Sequence, residues 1–371
     1  MRRLTILVAL LALAVGAASC TTSPAAATVD GRTITQATLK TQLSDIASSP
    51  AAACVFAAEF DPSSASVNGA GQDTVTTAAA TAELDNLVIA QLLQADLQRH
   101  HRVVTAAAVS SARADLASAV LTSLQGDAQS GSLPPACSTL SGTQNPVAAL
   151  PAGYGRDVAR YLALQEAFRS LVGHVNISEA GIAAYYRTHP SDFRQACLDL
   201  VVTDSQAAAQ SVASAVAAGE SFAAASSGPG ADPQITPPGG QLSCVLPNVI
   251  TSTFGAADAA TIYAATSGQL LAPMAWTDPQ TGTTYWLVVK VASLHTAPLS
   301  QVSSQIRQQL LSGTDASATA ALDRLLRRAD VQVDPIYGSW QGRIGLTAPK
   351  PPPSADVLNP TANQALALRR G

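Results

Sequence analysis

The chain has 371 residues, only 12% of them charged, with a formal net charge of −4. That balance supplies no basic patch for nucleic acid or an anionic lipid surface, and no stretch beyond the first 20 residues is long and apolar enough to span a bilayer. The length leaves room for two domains, and with aromatics at 4% their cores must be built from Leu, Val, Ile and much Ala.

Residues 1–20 read as a leader: Arg2 and Arg3, an apolar run from Leu4 to Val15, then Gly16-Ala17-Ala18-Ser19-Cys20. Cys20 after small residues matches a lipobox, with Ala17 where such boxes usually carry Leu. Its thiol would be diacylated and would hold the mature chain at the outer face of the cytoplasmic membrane. Ordinary secretory cleavage, giving a secreted protein, is the alternative. Residues 21–26 read as a flexible tether.

From Ala27 to Ile34 the sequence predicts two short strands around an Asp30-Gly31 turn, followed by a helix from about Thr35 to Ile46. Leu84, Leu87, Val88, Leu92 and Ala95, and later Tyr161, Leu164, Phe168 and Leu171, recur at helical spacing, so the segment to residue 175 is mostly helical. Ser49 to Val75 and Gln125 to Gly155, rich in Ser, Gly, Ala or Pro, read as loops. Each carries one cysteine, Cys54 and Cys137.

Ser178 is placed to cap a helix that must end before His189-Pro190. A compact α+β order follows: a strand at Leu198–Val202, a helix at about Ser205–Ala218, a loop at Gly228–Gly240 and a strand at Leu242–Leu246. A helix at Ser252–Ala265 and strands at Leu271–Trp276 and Tyr285–Val291 complete it. Helical spacing returns at Val302, Ile306, Leu310, Leu322, Leu325 and Leu326, then Val331–Val333 reads as a strand pairing with those around Asp30-Gly31. The Pro-rich stretch 341–371 reads as disordered.

Beyond Cys20 four cysteines remain, Cys54, Cys137, Cys197 and Cys244, an even number in an exported chain and so candidates for two disulfides. Three pairings are open, and Cys54 with Cys137 is favoured because it closes a long loop. None stands in a C-x-x-C pair with a His at ligand spacing, so no metal is expected, nor any cofactor. The absence of G-x-S-x-G, a Walker loop or a complete G-x-G-x-x-G removes hydrolase and nucleotide readings.

The ordered set T-V-D-G-R-T-I-T (28–35), I-S-E-A-G-I-A-A-Y-Y-R-T-H-P-S-D-F (177–193), A-A-G-E-S-F-A-A-A (217–225), D-P-x5-G-G-Q-L (232–242), S-G-Q-L-L-A-P-M (267–274), Y-W-L-V-V-K-V (285–291) and V-D-P-I-Y-G-S-W (333–340) resembles the SurA/PrsA-type foldases. That resemblance implies an α+β protein with a helical chaperone domain (27–175 and 297–340) around an inserted parvulin-like peptidyl-prolyl isomerase domain (176–296). The partners it implies are unfolded or proline-containing secreted polypeptides.

Uncatalysed X-Pro isomerisation crosses a barrier of about 18–20 kcal/mol, and a catalyst must hold the twisted imide better than either planar form. The family's proline cup falls on Leu242, Ile250 and Phe254, residues that a domain core would equally require. Its acidic or thiol group falls on Asp232, which could instead cap the loop before Pro233. The family's two histidines fall on Asp199 and Leu287, so both are absent, which argues for binding before catalysis. Under the same resemblance Cys197 lies on the domain's first strand and Cys244 on the strand after Gly239-Gly240, so a disulfide between them would brace the domain near its cleft; a redox pair is the less favoured reading. A lipoprotein scaffold for one cell-envelope partner is the alternative to a chaperone.

Overall fold

The computed structural model describes residues 23–60, 67–69, 71, 74–130, 134–138, 140, 145–278 and 281–349, with the backbone alone for 125–130. The leader with Cys20, the first two tether residues and residues 350–371 lie outside them. The described chain is α+β. Strands β1 (Ala25–Val29) and β2 (Arg32–Thr35) precede helices α1 (Gln36–Ser48), α2 (Pro50–Glu59), α3 (Thr77–Arg99), α4 (Ala106–Ser130) and α5 (Ala152–Val172). Then come α6 (Glu179–Thr188), β3 (Arg194–Thr203), α7 (Gln206–Ala217), the single turn α8 (Phe222–Ala225), β4 (Gln241–Val245), α9 (Pro247–Phe254), α10 (Ala256–Ala264), β5 (Met274–Thr277) and β6 (Thr284–Thr296). Last are α11 (Leu299–Ser312), α12 (Asp315–Arg328), β7 (Val331–Val333), β8 (Ser339–Trp340) and β9 (Leu346–Thr347).

Two compact units result, one from residues up to Val175 together with those from Leu311 on, the other from Asn176–Leu310. In the first, Asp30 (φ 47°) and Gly31 (φ 76°) make the tight turn that joins β1 to β2. β1 lies between β2 and β7, with Ala27 opposite both Ile34 and Val333. The junction is sealed by Asp30 and Asp330: the Asp30 amide donates to the Asp330 carbonyl (2.9 Å), and the Asp330 amide to the Asp30 carboxylate (3.0 Å). Val29, Ile34, Leu39, Leu84, Val88, Leu92 and Leu326 share one buried cluster, so both ends of the chain contribute to the same core. Ala25 and Ala26, assigned above to the tether, belong to β1, because the Ala26 carbonyl accepts from the Asp334 amide at 2.9 Å.

Three segments of this unit differ from the sequence expectation. The predicted loop at 49–75 contains α2, capped by the Ser49 hydroxyl on the Ala52 amide (3.3 Å) and started by Pro50 at its first turn. The predicted loop at 125–155 is helical to Ser130 and again from Ala152. The tail expected to be disordered from 341 is ordered to residue 349. Its β9 pairs with β8, and the Leu346 amide donates to the half-buried Asp85 carboxylate at 2.8 Å. Gly338 (φ 128°) permits this hairpin, since a Cβ there would stand 2.0 Å from the Thr347 carbonyl oxygen.

The second unit is a four-stranded antiparallel sheet ordered β4-β3-β6-β5 with helices on both faces. α6 starts at Ser178, whose hydroxyl accepts from the Gly181 amide at 3.2 Å. The helix predicted at 252–265 is two, α9 and α10, broken at Gly255 (φ 87°). β5 begins only at Met274, after Pro273, which has no amide to donate. α11 up to Leu310 falls in this unit rather than with the helices expected at 297–340. The reason is its packing: Val302 and Ile306 are buried with Ile182, Phe193 and Ala297.

Cys54 and Cys137 are disulfide-bonded with Cα atoms 4.6 Å apart. Their separation of 83 residues sets a loop-closure contribution of about 4–5 kcal/mol. Replacing both with Ala should lower the urea-unfolding free energy by that order, and an unchanged midpoint would refute the assignment of this bridge as a main brace of the helical unit.

Candidate functional site

Alternation along β3 decides what each face of the second unit offers. Leu198, Leu200 and Val202 point to one side, where Leu287, Val289 and Val291 of β6 join them under Ile250 of α9 and Ala259 and Ile262 of α10. Val201 and Val288 point to the other, against Ala209 and Val212 of α7 and Phe222 and Ala225 of α8. The first face is incompletely covered. Leu242 on edge strand β4, Phe254 at the end of α9, and Met274 and Trp276 on edge strand β5 are only half-buried against it. The sheet edges lie three strand spacings apart, about 14 Å, so these side chains outline an apolar strip across the sheet.

Of the three predicted cup residues, all join this cluster but not in one role. Ile250 is fully buried and is part of the floor. Leu242, paired with Leu198, and Phe254 are only half-buried. Trp276 was not anticipated from the sequence. Its indole donates to the Thr253 carbonyl at 2.7 Å, tying β5 to the end of α9 beside Phe254, and its ring lies 6.1 Å from that of Tyr285. The signal was present in the alternation of Met274-Ala275-Trp276-Thr277, which puts Met274 and Trp276 on one face of β5.

Asp232 is held at the other end of β3. Its amide donates to the Val202 carbonyl (2.7 Å), and its carboxylate accepts from the Gln234 amide (2.8 Å), which is the loop-capping arrangement. Val202 is four residues beyond Leu198, about 13 Å along the strand from the position that Leu242 faces. Asp199 and Leu287 are not brought together. Asp199 pairs with Lys290, whereas Leu287 pairs with Val202 and points to the opposite face, into the core. Under the strip the two central strands therefore present Leu198, Leu200, Val202, Leu287, Val289 and Val291.

Cys197 and Cys244 are disulfide-bonded across β3 and β4, with Cα atoms 3.9 Å apart. The sequence shows no histidine near them, but the β3–β6 register does: His295 pairs with Gln195, and its Nδ1 lies 3.8 Å from Cys197 Sγ. The three potential ligand atoms fall within 4.8 Å of one another; in the disulfide neither sulfur is the thiolate that a zinc site uses.

In the helical unit, Gln42, Glu83, Asn86, Tyr154 and Asp157 line a cavity walled by Phe60, Leu87 and Tyr161. The Gln42 amide donates to the Asp157 carboxylate at 3.1 Å, while Gln42 Oε1 and the Tyr154 hydroxyl are buried without a hydrogen-bond partner among the described residues. Burial, with a smaller push from the Asp157 carboxylate, raises Glu83 from 4.5 to about 8. Folded protein thus keeps a proton that the unfolded chain sheds between those two values, and stability falls with rising pH at about 1.4 kcal/mol per unit in that window. Below about 4.5 the group contributes no slope. Glu83→Gln should therefore be more stable than the parent by a margin that widens from pH 5 to pH 8 in urea titrations; a constant margin would contradict the protonated state.

No protein-family model and no curated protein matches the chain. Among solved structures, the foldase protein PrsA from Lactococcus lactis is similar over 84% of this chain and 95% of its own, at 14% identity and a TM-score of 0.36. PrsA from Streptococcus pneumoniae is similar over 81% and 92%, at 11% identity and a TM-score of 0.35. A structure reported with the SurA-like chaperones of Campylobacter jejuni is similar over 84% and 99%, at 10% identity and a TM-score of 0.25.

Proposed function

We propose that the protein is an exported chaperone that holds unfolded or proline-containing polypeptides on the apolar strip of its second unit and does not accelerate X-Pro isomerisation. The observation that carries this reading is the strip itself: Leu242, Phe254, Met274 and Trp276, half-buried around fully buried Ile250. Apolar surface left open on a folded domain is surface for a partner. A client segment laid there would be held chiefly by burial of its own apolar side chains, at about 25 cal/mol per Å².

Catalysis would ask for more. Twisting the imide shifts charge on its carbonyl and nitrogen, and polar groups aimed at that charge are what lower the barrier. The strands beneath the strip offer Leu198, Leu200, Val202, Leu287, Val289 and Val291, and Asp232 is engaged with the Gln234 amide at the far end of β3. The family resemblance suggests a foldase; the chemistry at this site supports holding rather than turning over.

Two disulfides suit an oxidising compartment outside the cytoplasm, and among the described residues no helix is long and apolar enough to cross a membrane. Attachment through acylated Cys20 completes the proposal, and loss of membrane fractionation in Cys20→Ala tests it separately.

The main test pairs two assays. The protein should suppress aggregation of a reduced, unfolded client while leaving the isomerisation rate of a short X-Pro peptide at its spontaneous value. Leu242→Ala, Phe254→Ala and Trp276→Ala should weaken suppression with modest loss of stability, whereas Ile250→Ala should cost about 2–5 kcal/mol as a core residue. Suppression unaffected by the three surface changes would overturn the strip as the binding site; a rate above background would overturn the silent isomerase.

A further inference from the structure

The two disulfides sit in opposite surroundings. Cys54 and Cys137 are 0% and 1% exposed, inside the helical core, so a dissolved thiol reaches them only through unfolding. Cys244 is exposed and Cys197 half-buried, and the exposed His295 places Nδ1 3.8 Å from Cys197 Sγ. Three adjacent strands carry the trio: Cys244 on β4, Cys197 on β3 and His295 on β6, with β3 hydrogen-bonded to both neighbours. Their juxtaposition is therefore fixed by sheet register rather than by loops.

From this geometry we propose that Cys197–Cys244 is a thiol-exchange site, in which Cys244 is the sulfur attacked and His295 steadies the thiolate released on Cys197. Exchange requires an accessible sulfur for the nucleophile and a leaving sulfur that carries negative charge well. Cys244 meets the first requirement by exposure. Cys197 meets the second because a ring N–H beside it can hydrogen-bond to its thiolate, the kind of neighbour that makes a cysteine a good leaving group. A bond serving only as a brace needs neither feature.

The chemistry balances without further groups. An incoming thiolate forms a new S–S bond to Cys244 Sγ; the Cys244–Cys197 bond breaks, and its electron pair stays on Cys197 Sγ. Return attack by Cys197 on the mixed disulfide expels the partner's thiolate and restores the starting state. Where the partner is a dithiol, its second thiolate attacks instead. The partner leaves as a disulfide, Cys244 departs as a thiolate that takes a proton from water, and two electrons have passed from partner to protein. The substrate class is thus a small thiol or a dithiol, and the inference stands apart from the polypeptide-binding strip.

The test uses the folded full-length chain, exposed separately to reduced glutathione and to dithiothreitol, trapped with iodoacetamide and mapped by peptide mass spectrometry. Dithiothreitol should open Cys197–Cys244 under conditions that leave Cys54–Cys137 intact. Glutathione should appear on Cys244, with the alkyl group on Cys197. His295→Asn should slow opening several-fold with an unchanged urea midpoint, while Ser293→Ala, on the same strand opposite Cys197, should open at the parental rate. Opening of both disulfides together, glutathione on Cys197, or a parental rate in His295→Asn would each overturn the proposal.

Discussion

The pairing of β1 with β7 joins residues about 300 positions apart, and much of the molecule follows from it. Asp30 and Asp330 exchange two hydrogen bonds at the junction, and Leu326 enters the same buried cluster as Val29, Leu39 and Leu84. Closing so long a loop is cheaper than its length suggests, because loop entropy grows only logarithmically, about 0.6 kcal/mol per doubling. The condition is that the intervening chain should not resist having its ends held close. Asn176–Leu310 meets it by having cores of its own, one on each face of its sheet and a third around Ile182, Phe193 and Ile306.

Strand β3 plays the corresponding part inside the second unit. It is an inner strand, and its period-two alternation commits Leu198, Leu200 and Val202 to one face and Val201 to the other. Once both faces of the sheet are apolar, a polar side chain under the strip would be buried without water and would need its own partner to avoid a cost of about 1–3 kcal/mol. On that face the two inner strands carry Leu198, Leu200, Val202, Leu287, Val289 and Val291, all apolar. In the helical unit, burial raises the pKa of Glu83, and the Asp157 carboxylate is met by the Gln42 amide.

What the sequence made legible depended on whether a residue pattern carried a period or a steric necessity. The Asp30-Gly31 hairpin, the Ser178 cap and the β1–β7 pairing could all be read because each rests on local chemistry or matched strand types. Helix α2 could not, because Ala51 to Ala57 are all buried and a helix without a polar face shows no 3.6-residue period. The break at Gly255 is not legible because a single glycine within an apolar run reads equally as helix interior. The site was half legible: Leu242, Ile250 and Phe254 do gather in one cluster, but sequence spacing says nothing of which is floor and which is rim. Asp199 and Leu287 show the limit more sharply, since only strand register reveals that they face opposite sides of the sheet.

Register also explains why no pattern in the sequence points to His295. It stands 98 residues from Cys197, in a strand that reads as ending at Val291, and the bulge between Cys197 and Leu198 shifts the local pairing by one. With that extra residue on β6, Ser293 lies opposite Cys197 and His295 opposite Gln195. A continuous ladder without the bulge would set Cys197 opposite Ala292 and turn the following side chains to the other face. The imidazole's place beside the sulfur therefore follows from a local irregularity in backbone pairing.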